Sequence, residues 1–316
     1  MSLYQIIKET SEGIDWTSSD ISSSLSIKFP VPKTHPRSSV IEQYYLTVAQ
    51  LSNYHLDTDD LVLCDESIRS PLTEQAPSLP PVIFLEPTEG SLKTITHAEE
   101  FISSLDKEHK RIVVIGGGIL CNFGGYIAEK LNTDLVYIPT TIIAMSDACI
   151  GGKVRINDIQ AGKHIKHAHK SFYEPSEIVI DPQFLDSLNN DQIRTGLAEI
   201  IKHAVYQSPS LANYLLSDSF DPFTDKQSLL RAILWTADLK RICLKIDPEE
   251  SKDGSYKILR AAHDVSDKLE EESGFTLSHG KAVEKAMIED LYSNKEKYNL
   301  LVEIYTKLGI GYTTVF

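Results

Sequence analysis

The sequence predicts an α/β protein with two domains: an N-terminal doubly wound (Rossmann-like) domain around a parallel sheet, then a domain made only of helices. In the first half, short apolar runs rich in branched residues alternate with segments of helical periodicity. After about residue 181, long helical patterns follow one another with hardly a strand signal. A chain of 316 residues can bury two cores, so we place the domain limits at 1–181 and 182–316.

The elements of the first domain are predicted from apolar runs between turn-forming residues. Strands are expected over 61–64, 82–85, 111–115 and 135–139, and helices over 97–105 and 122–131. Strands that alternate with helices form parallel sheets through crossover connections. The segment 18–40, which is rich in Ser and Pro, is expected to be irregular surface structure.

The second domain is predicted from four long helical patterns, over 191–206, 226–246, 256–272 and 280–308. The chain has 41% hydrophobic residues, 24% charged residues and a net charge of −14. This charge argues against nucleic acid or an anionic membrane as the partner, and it requires a local basic cluster for any anionic substrate. The N-terminus does not resemble a signal peptide, and the four cysteines form no C-x-x-C pair. A reducing, cytoplasmic compartment is therefore expected.

A glycine turn lies between a predicted strand and the following helix, at Gly116, Gly117 and Gly118. Glycines there let the backbone approach a pyrophosphate, and the helix N-terminus adds N–H donors. The spacing is not G-x-G-x-x-G, so a tight turn without a ligand is an equal alternative. Asp65 follows another strand, where a ribose-hydroxyl acceptor would stand. A later strand ends in Thr140 and Thr141, at the sheet edge where ligands of such folds bind.

One carboxylate and two histidines form a candidate metal site in the helical domain. Glu199 lies in an apolar helix, and His263 and His279 are separated by 16 residues, which suits ligands on two helices joined by a short turn. Two imidazoles and one carboxylate leave coordination positions open, as in a catalytic zinc site. Two alternatives stay open: a histidine at a helix end is more often merely hydrogen-bonded, and His203 is a rival ligand one turn from Glu199.

Three lysines stand where a charge is expected to point inward. Lys240 shares one helix face with apolar residues, Lys202 lies three residues after Glu199, and Lys153 follows a Gly-Gly pair. Each could equally be a lysine whose stem covers the edge of the core. Together they would supply the basic site that a phosphate or carboxylate needs.

The order of six segments resembles the 3-dehydroquinate synthase family of sugar-phosphate cyclases, from about residue 60 to 300. The segments are IGGGILCNFGGYIA, YIPTTIIAMSDACIGGK, SFYEPSEIVIDPQFLDSL, GLAEIIKHA, ADLKRICLKIDPEES and the two histidines 16 residues apart. The resemblance implies NAD as cofactor and a divalent metal, zinc first with cobalt as the alternative, and a phosphorylated sugar as substrate. It also implies a homodimer.

The resemblance also implies roles for individual residues. Those expected near the cofactor are Asp65, Glu89, Lys93, Gly116, Gly117, Gly118, Asn122, Thr140 and Thr141. Glu199, His263 and His279 match the metal ligands. The expected active-site acids and lysines are Asp147, Lys153, Lys163 (or Lys166), Lys202, Lys240 and Asp267. The implied reaction oxidises a ring hydroxyl with NAD⁺, eliminates phosphate, reduces the ketone again and closes a carbocycle by an aldol step. The enzyme class is a carbon–oxygen lyase.

Several positions depart from the family pattern. They are Asp267 in place of a second histidine, Tyr256 and Arg260 in place of an Arg and an Asn, Leu131 in place of a basic residue, Lys281 after His279-Gly280, and a long loop over 162–175. Together with Asn122, the AMSD and FYEP segments lean slightly towards 2-deoxy-scyllo-inosose synthases. Two alternatives remain: an NAD-dependent polyol dehydrogenase of the same fold, or a degenerate member with a binding role.

Overall fold

The structure is a computed structural model that describes residues 1–18, 21, 25–75, 79–106, 108–161 and 163–311, apart from the side chains of Gln75, Lys163 and His164. The chain forms two compact units. The α/β unit comprises residues 21–187, and the helical unit comprises residues 1–20 together with 188–316.

The regular elements are numbered in chain order. The strands are β1 (Ser26–Pro30), β2 (Gln43–Val48), β3 (Asp60–Asp65), β4 (Val82–Leu85), β5 (Arg111–Gly116), β6 (Asp134–Pro139), β7 (Lys153–Gln160), β8 (Lys163–Phe172) and β9 (Glu177–Ile180). The helices are α1 (Leu3–Ser11), α2 (Arg69–Gln75), α3 (Ile95–Ser104), α4 (Gly118–Leu131), α5 (Asn190–Tyr206), α6 (Pro209–Leu216), α7 (Lys226–Ile246), α8 (Tyr256–Leu259), α9 (His263–Glu272), α10 (His279–Leu291) and α11 (Lys295–Leu308).

Seven strands of the α/β unit form one sheet in the order β1-β2-β9-β6-β5-β3-β4. β1 is antiparallel to β2, and every other neighbouring pair is parallel. All of β3 is buried, and so is β5 after its first residue, because a parallel strand inside such a sheet is covered on both faces. The predicted class, a parallel α/β domain followed by a helical one, is confirmed.

The expectation of irregular structure over 18–40 was wrong, because β1 lies within that segment. Ile27 and Phe29 are buried while Ser26 and Lys28 are exposed, which is the alternation of a half-buried strand. The run is only five residues long, and the Ser and Pro around it dominated the composition. The alternating pattern of a strand was therefore present in the sequence, but it was too short to be recognised.

A two-stranded antiparallel hairpin of β7 and β8 was also missed. The sequence was interpreted as a loop over 162–175, yet β8 covers most of that range. The register shifts between Ile156 and Asp158. Such an irregularity interrupts the alternation by which a strand is recognised.

The helical unit contains the predicted helices, but two of them are interrupted. The pattern 256–272 divides into α8 and α9 at Ala262, which adopts a left-handed conformation (φ 61°). The pattern 280–308 divides before α11, where Asn294 caps the helix by accepting a hydrogen bond from the Lys297 amide (3.3 Å). None of the helices in the described part of the chain has the length and apolarity needed to cross a membrane.

The division into units differs from the proposed limits of 1–181 and 182–316 at two places. The later border lies at Ser187, six residues beyond the proposed one, and residues 1–20 belong to the helical unit. Helix α1 contacts α7, and Ser11 Oγ accepts a hydrogen bond from Gln207 Nε2 (2.9 Å). Contacts between segments far apart in sequence leave no periodic signal.

The left-handed Ala262 predicts the effect of a single substitution. An L-residue with a Cβ costs roughly 1–2 kcal/mol in this conformation, and glycine avoids that cost. We expect Ala262→Gly to keep or raise the free energy of unfolding, by up to about 1 kcal/mol, since the more flexible unfolded chain offsets part of the gain. Ala261→Gly, whose φ is not positive, is the matched control and should lose about 1 kcal/mol. Urea denaturation of both variants measures this, and equal losses would contradict it.

Candidate functional site

Glu199 is a completely buried carboxylate on α5. Burying a carboxylate is costly unless a counter-charge accompanies it. Lys202, one turn along the helix and equally buried, forms an ion pair with Glu199 Oε2 and donates to the Leu259 carbonyl (3.1 Å). Burial by itself raises the pKa of Glu199, but the Lys202 ammonium and two nearby histidines outweigh it and hold that pKa well below its usual range. The carboxylate is therefore ionised at neutral pH.

Two histidines direct their Nε2 atoms to the same oxygen of this carboxylate. His263 is the first residue of α9, and His279 is the first residue of α10. From Glu199 Oε1, the distance is 3.3 Å to His279 Nε2 and 3.8 Å to His263 Nε2. Among the described residues these three form the one group that could hold a metal, with all ligand atoms within 4.8 Å of one another.

The other ring nitrogen of each histidine has its own partner. His263 Nδ1 lies 2.9 Å from the Ala261 carbonyl oxygen, and His279 Nδ1 lies 2.8 Å from Glu270 Oε1. Because a carbonyl and a carboxylate only accept hydrogen bonds, each Nδ1 must carry the proton that it donates. This leaves each Nε2 as the atom for a metal, in the arrangement in which metal-binding histidines are usually held.

A divalent ion fits this donor set. Two imidazole nitrogens and one carboxylate oxygen are ordinary zinc ligands, and three protein ligands is the number found in catalytic rather than structural zinc sites. Ligand atoms about 2.1 Å from a tetrahedral zinc lie roughly 3.4 Å apart. The distances of 3.3 and 3.8 Å are close to that value. Two of the three separations between ligand atoms therefore already suit an ion, and the third is at most 4.8 Å.

Without a metal, the imidazole rings of His279 and His263 have very different pKa values. Burial lowers the pKa of His279, but hydrogen bonds to Glu199 and Glu270 outweigh it and raise that pKa to about 9. Burial, assisted by the Lys202 ammonium, lowers the pKa of His263 to about 3. At neutral pH, His279 is therefore charged and His263 is neutral.

This difference predicts how metal affinity depends on pH. A metal must displace the Nε2 proton of His279, whereas His263 and Glu199 have no proton to lose near neutrality. We expect the association constant to rise about tenfold per pH unit between about pH 6 and 8, with about one proton released per ion. Titration calorimetry in buffers of different ionisation enthalpy counts the protons. A slope of zero or two would contradict the assignment.

His203, the rival ligand, has a different set of contacts. Its Nδ1 lies 2.6 Å from Gln207 Oε1. The Gln207 amide in turn donates to Ser11 Oγ and to the Leu239 carbonyl, both at 2.9 Å. His203 thus belongs to a buried network that ties α1, α5 and α7 together, and the metal-ligand group does not include it.

The predicted lysines and acid are placed as follows. The prediction that Lys240 is buried is confirmed, since its exposed fraction is 3%. Lys153 begins β7 and is half-buried, and Asp147 is half-buried in the π-helical turn 144–148. The side chain of Lys163 lies outside the described residues. Lys166, the alternative, is half-buried and helps to lower the pKa of Glu89.

The glycine turn joins β5 to α4 and lies against the end of β6. Gly116 ends β5, and its carbonyl accepts a hydrogen bond from the Thr140 amide (3.1 Å). A Cβ on Gly117 would lie 3.1 Å from the Thr141 methyl, and a Cβ on Gly118 would lie 3.2 Å from that of Ala148. None of the three glycines has a positive φ, so close approach is the reason for glycine here. Both the pyrophosphate and the tight-turn interpretations remain compatible with this geometry.

Asp65 lies beside this turn because β3 and β5 are neighbours in the sheet. A Cβ on Gly116 would be 3.4 Å from the Asp65 Cβ. The Asp65 Oδ1 atom accepts hydrogen bonds from the amide (2.9 Å) and hydroxyl (2.7 Å) of Ser67. In dinucleotide-binding folds an acid at the end of the strand next to the glycine turn binds the ribose, and Asp65 occupies that place.

Glu89 and Lys93 form an ion pair (2.9 Å), and Asn157 holds it in place. Asn157 Nδ2 donates to the carbonyl and to Oε1 of Glu89, each at 3.1 Å, while its Oδ1 accepts from the His167 amide (3.0 Å). Burial raises the pKa of Glu89, but Lys93 and Asn157 outweigh it and lower that pKa. Sequence reasoning missed Asn157. A polar residue on the buried side of a strand was a signal that its side chain makes hydrogen bonds to other groups.

Asn122, expected near the cofactor, makes two hydrogen bonds to backbone atoms. Its Nδ2 donates to the Gly118 carbonyl (2.8 Å), and its Oδ1 accepts from the Arg155 amide (2.7 Å). The side chain thereby connects α4 to β7. Its role in binding a cofactor stays a prediction.

Of the departures from the family pattern, two form a pair. Arg260 Nη2 donates to Asp267 Oδ2 at 2.9 Å, so Asp267 is the counter-ion of a guanidinium. Leu131 is 39% exposed at the end of α4. Lys281, a further departure, is exposed. It lines a cavity of about 260 Å³ together with Arg194 and Glu284.

Comparison with known families matches one continuous stretch of the chain, residues 84–308, which is more than half of its 316 residues. The profile of the 3-dehydroquinate synthase N-terminal domain matches residues 84–195, and that of the C-terminal domain matches residues 196–308. The 3-dehydroquinate synthase of Sulfurisphaera tokodaii is 31% identical over 180 residues, which are 56% of this chain and 50% of that protein. The match spans 50% to 60% of the length of this relative and of the synthases of Saccharolobus solfataricus and Sulfolobus acidocaldarius.

Two solved structures share the fold. The 2-epi-5-epi-valiolone synthase of Streptomyces hygroscopicus subsp. jinggangensis, with NAD⁺ and Zn²⁺ bound, has a TM-score of 0.74 at 22% identity and covers 86% of this chain and 82% of its own. A 2-deoxy-scyllo-inosose synthase complexed with carbaglucose-6-phosphate, NAD⁺ and Co²⁺ has a TM-score of 0.68 at 18% identity, with coverages of 90% and 82%.

Proposed function

Since the chain belongs to the 3-dehydroquinate synthase family of sugar-phosphate cyclases, we propose that it converts a phosphorylated sugar to a carbocycle with elimination of phosphate. The cofactors in this proposal are NAD and one divalent metal. The observation that carries it is the convergence of Glu199, His263 and His279, with both Nδ1 atoms already engaged. That arrangement has the ligand number and the histidine orientation of a catalytic metal site.

The α/β unit supports the cofactor half of the proposal. The glycine turn, Thr140, Thr141 and Asp65 lie together at the carboxyl ends of β3, β5 and β6, which is where ligands of parallel α/β sheets bind. The solved relatives named above carry NAD⁺. We assign Asp65 to the ribose, and the Glu89–Lys93 pair with Lys166 to the same region.

When bound, NAD would accept and return a hydride, and the metal would polarise a substrate hydroxyl. The residues of this chain prepare those steps. Lys202 keeps Glu199 ionised and fixed, while Glu270 and the Ala261 carbonyl hold the two imidazole rings in orientation. We assign Lys153 and Lys240 to the anionic and hydroxyl groups of the substrate, and Asp147 to its protons.

Release of inorganic phosphate tests the proposal directly. The metal-loaded protein is incubated with NAD and with glucose 6-phosphate, sedoheptulose 7-phosphate or the seven-carbon shikimate precursor. A cyclase releases phosphate while NADH does not accumulate, because the cofactor returns to its starting state. NADH without phosphate would instead indicate a polyol dehydrogenase. Binding of metal and NAD with no turnover would indicate a degenerate member.

Finer assignments belong to the same proposal. Zinc is the metal that we propose, although the solved relatives carry Zn²⁺ or Co²⁺. The lean towards a 2-deoxy-scyllo-inosose synthase rests on Asn122, on the AMSD and FYEP segments, and on Tyr256 in place of a family arginine. The homodimer and the cytoplasmic location expected from the sequence stay predictions.

A further inference from the structure

A polar stripe on α9 places Asp267 beside the metal group. His263, Asp267 and Glu270 lie at positions i, i+4 and i+7, which is one face of a helix. His263 supplies a ligand atom, and Glu270 holds the ring of His279. Asp267 therefore lies one turn from a ligand on one side and one turn from a supporting carboxylate on the other.

Arg260 is the counter-ion of Asp267. Its Nη2 lies 2.9 Å from Asp267 Oδ2 and 3.3 Å from Asp264 Oδ1. The Arg260 and Asp267 side chains are only 25% and 20% exposed, whereas that of Asp264 is 79% exposed. The pair with Asp267 is therefore the stronger one, because water screens the contact with Asp264.

The Arg260–Asp267 pair affects how strongly a substrate carboxylate can bind beside it. A substrate carboxylate that approaches Arg260 also approaches Asp267, so a second negative charge would be brought close to the first in a partly buried place. Like charges brought together in this way are strongly disfavoured. Hydroxyl groups meet no such penalty, since one can donate to the Asp267 carboxylate while another accepts from the guanidinium.

We propose that the Arg260–Asp267 pair selects phosphorylated sugars whose end nearest the metal carries hydroxyl groups rather than a carboxylate. The inference rests on the proposed function. It gives Asp267 a positioning and specificity role through Arg260, in place of the catalytic role that the family pattern implies for its position.

The test compares sedoheptulose 7-phosphate with the corresponding seven-carbon 3-deoxy-ulosonic acid 7-phosphate on the protein loaded with zinc and NAD. We expect kcat/KM for the first to exceed that for the second by at least about tenfold. Asp267→Asn removes the competing charge and should reduce this ratio about tenfold. Arg260→Gln removes the guanidinium beside Asp267 and keeps the Asp267 charge, so it should increase the ratio.

Asp264→Asn is the matched control, since it removes the same charge from an exposed partner of the same arginine. It should leave the ratio within about twofold. Preference of the parent protein for the carboxylate compound, or an unchanged ratio in Asp267→Asn with a native melting temperature, would overturn the proposal. If Asp267→Asn does not fold, the direction of change in Arg260→Gln decides.

Failure of the proposed function has a different signature. If no compound releases phosphate, titration calorimetry with the same two compounds measures the ratio of their dissociation constants on the loaded protein. A ratio that favours the hydroxyl compound keeps the selectivity inference while the cyclase activity fails. A ratio near one, or no binding of either compound, overturns the inference.

Discussion

Metal binding is expected to be lost in Glu199→Ala and in His279→Ala. Removing even an outer partner of a metal ligand costs roughly 10- to 100-fold in affinity, and these substitutions remove ligand atoms themselves. Each leaves two of the three atoms that lie within 4.8 Å of one another. We therefore expect affinity to fall by more than about a hundredfold. Metal content after dialysis and competition with a chelator measure this.

His203→Gln is the matched control for the metal-site variants. It changes a buried histidine one turn from Glu199. It should leave metal affinity unchanged, because His203 Nδ1 is engaged by Gln207 and the group that could hold a metal does not include His203. Full metal occupancy in both ligand variants would refute the site. Loss of metal in His203→Gln, with its melting temperature preserved, would show that His203 is a metal ligand.

Lys202→Met is expected to destabilise the metal-free protein by up to about 3–5 kcal/mol, the usual cost of leaving one member of a buried ion pair alone. The protonated His279 stays beside Glu199 and offsets part of this loss. Both side chains of the pair are completely buried, so water cannot replace the lost ammonium. A bound divalent ion is also a counter-charge for Glu199, and zinc should restore most of the lost stability. Urea denaturation with a chelator and then with zinc measures both quantities.

The double variant Glu199→Gln/Lys202→Met separates the ion pair from the packing of its side chains. With neither charge present, we expect the metal-free double variant to be clearly more stable than Lys202→Met alone. It should also gain nothing from zinc, because a ligand is missing. A double variant that loses the sum of the two single losses would show that the charges are not coupled.

Sequence patterns could predict the elements that are regular and local. The buried parallel strands β3, β5 and β6 are runs of branched residues, and α5 and α7 are long helices of 17 and 21 residues with apolar residues at helical spacing. The burial of Lys240 was predicted from the same helical spacing, since a residue that shares a helix face with apolar residues is buried with them. The candidate ligands were also chosen from sequence, but spacing alone left His203 as a rival ligand.

Tertiary structure decided what depends on contacts between distant segments. It separated His203 from the ligand group by giving its ring a partner in a buried network, joined α1 to the helical unit, and broke a predicted helix at Ala262. A left-handed alanine is locally unfavourable, so no propensity predicts it. Residue types and periodicity thus determined the fold class and the chemistry of Glu199, His263 and His279. Only packing determined that their ligand atoms meet, because no local pattern records which helix ends lie side by side.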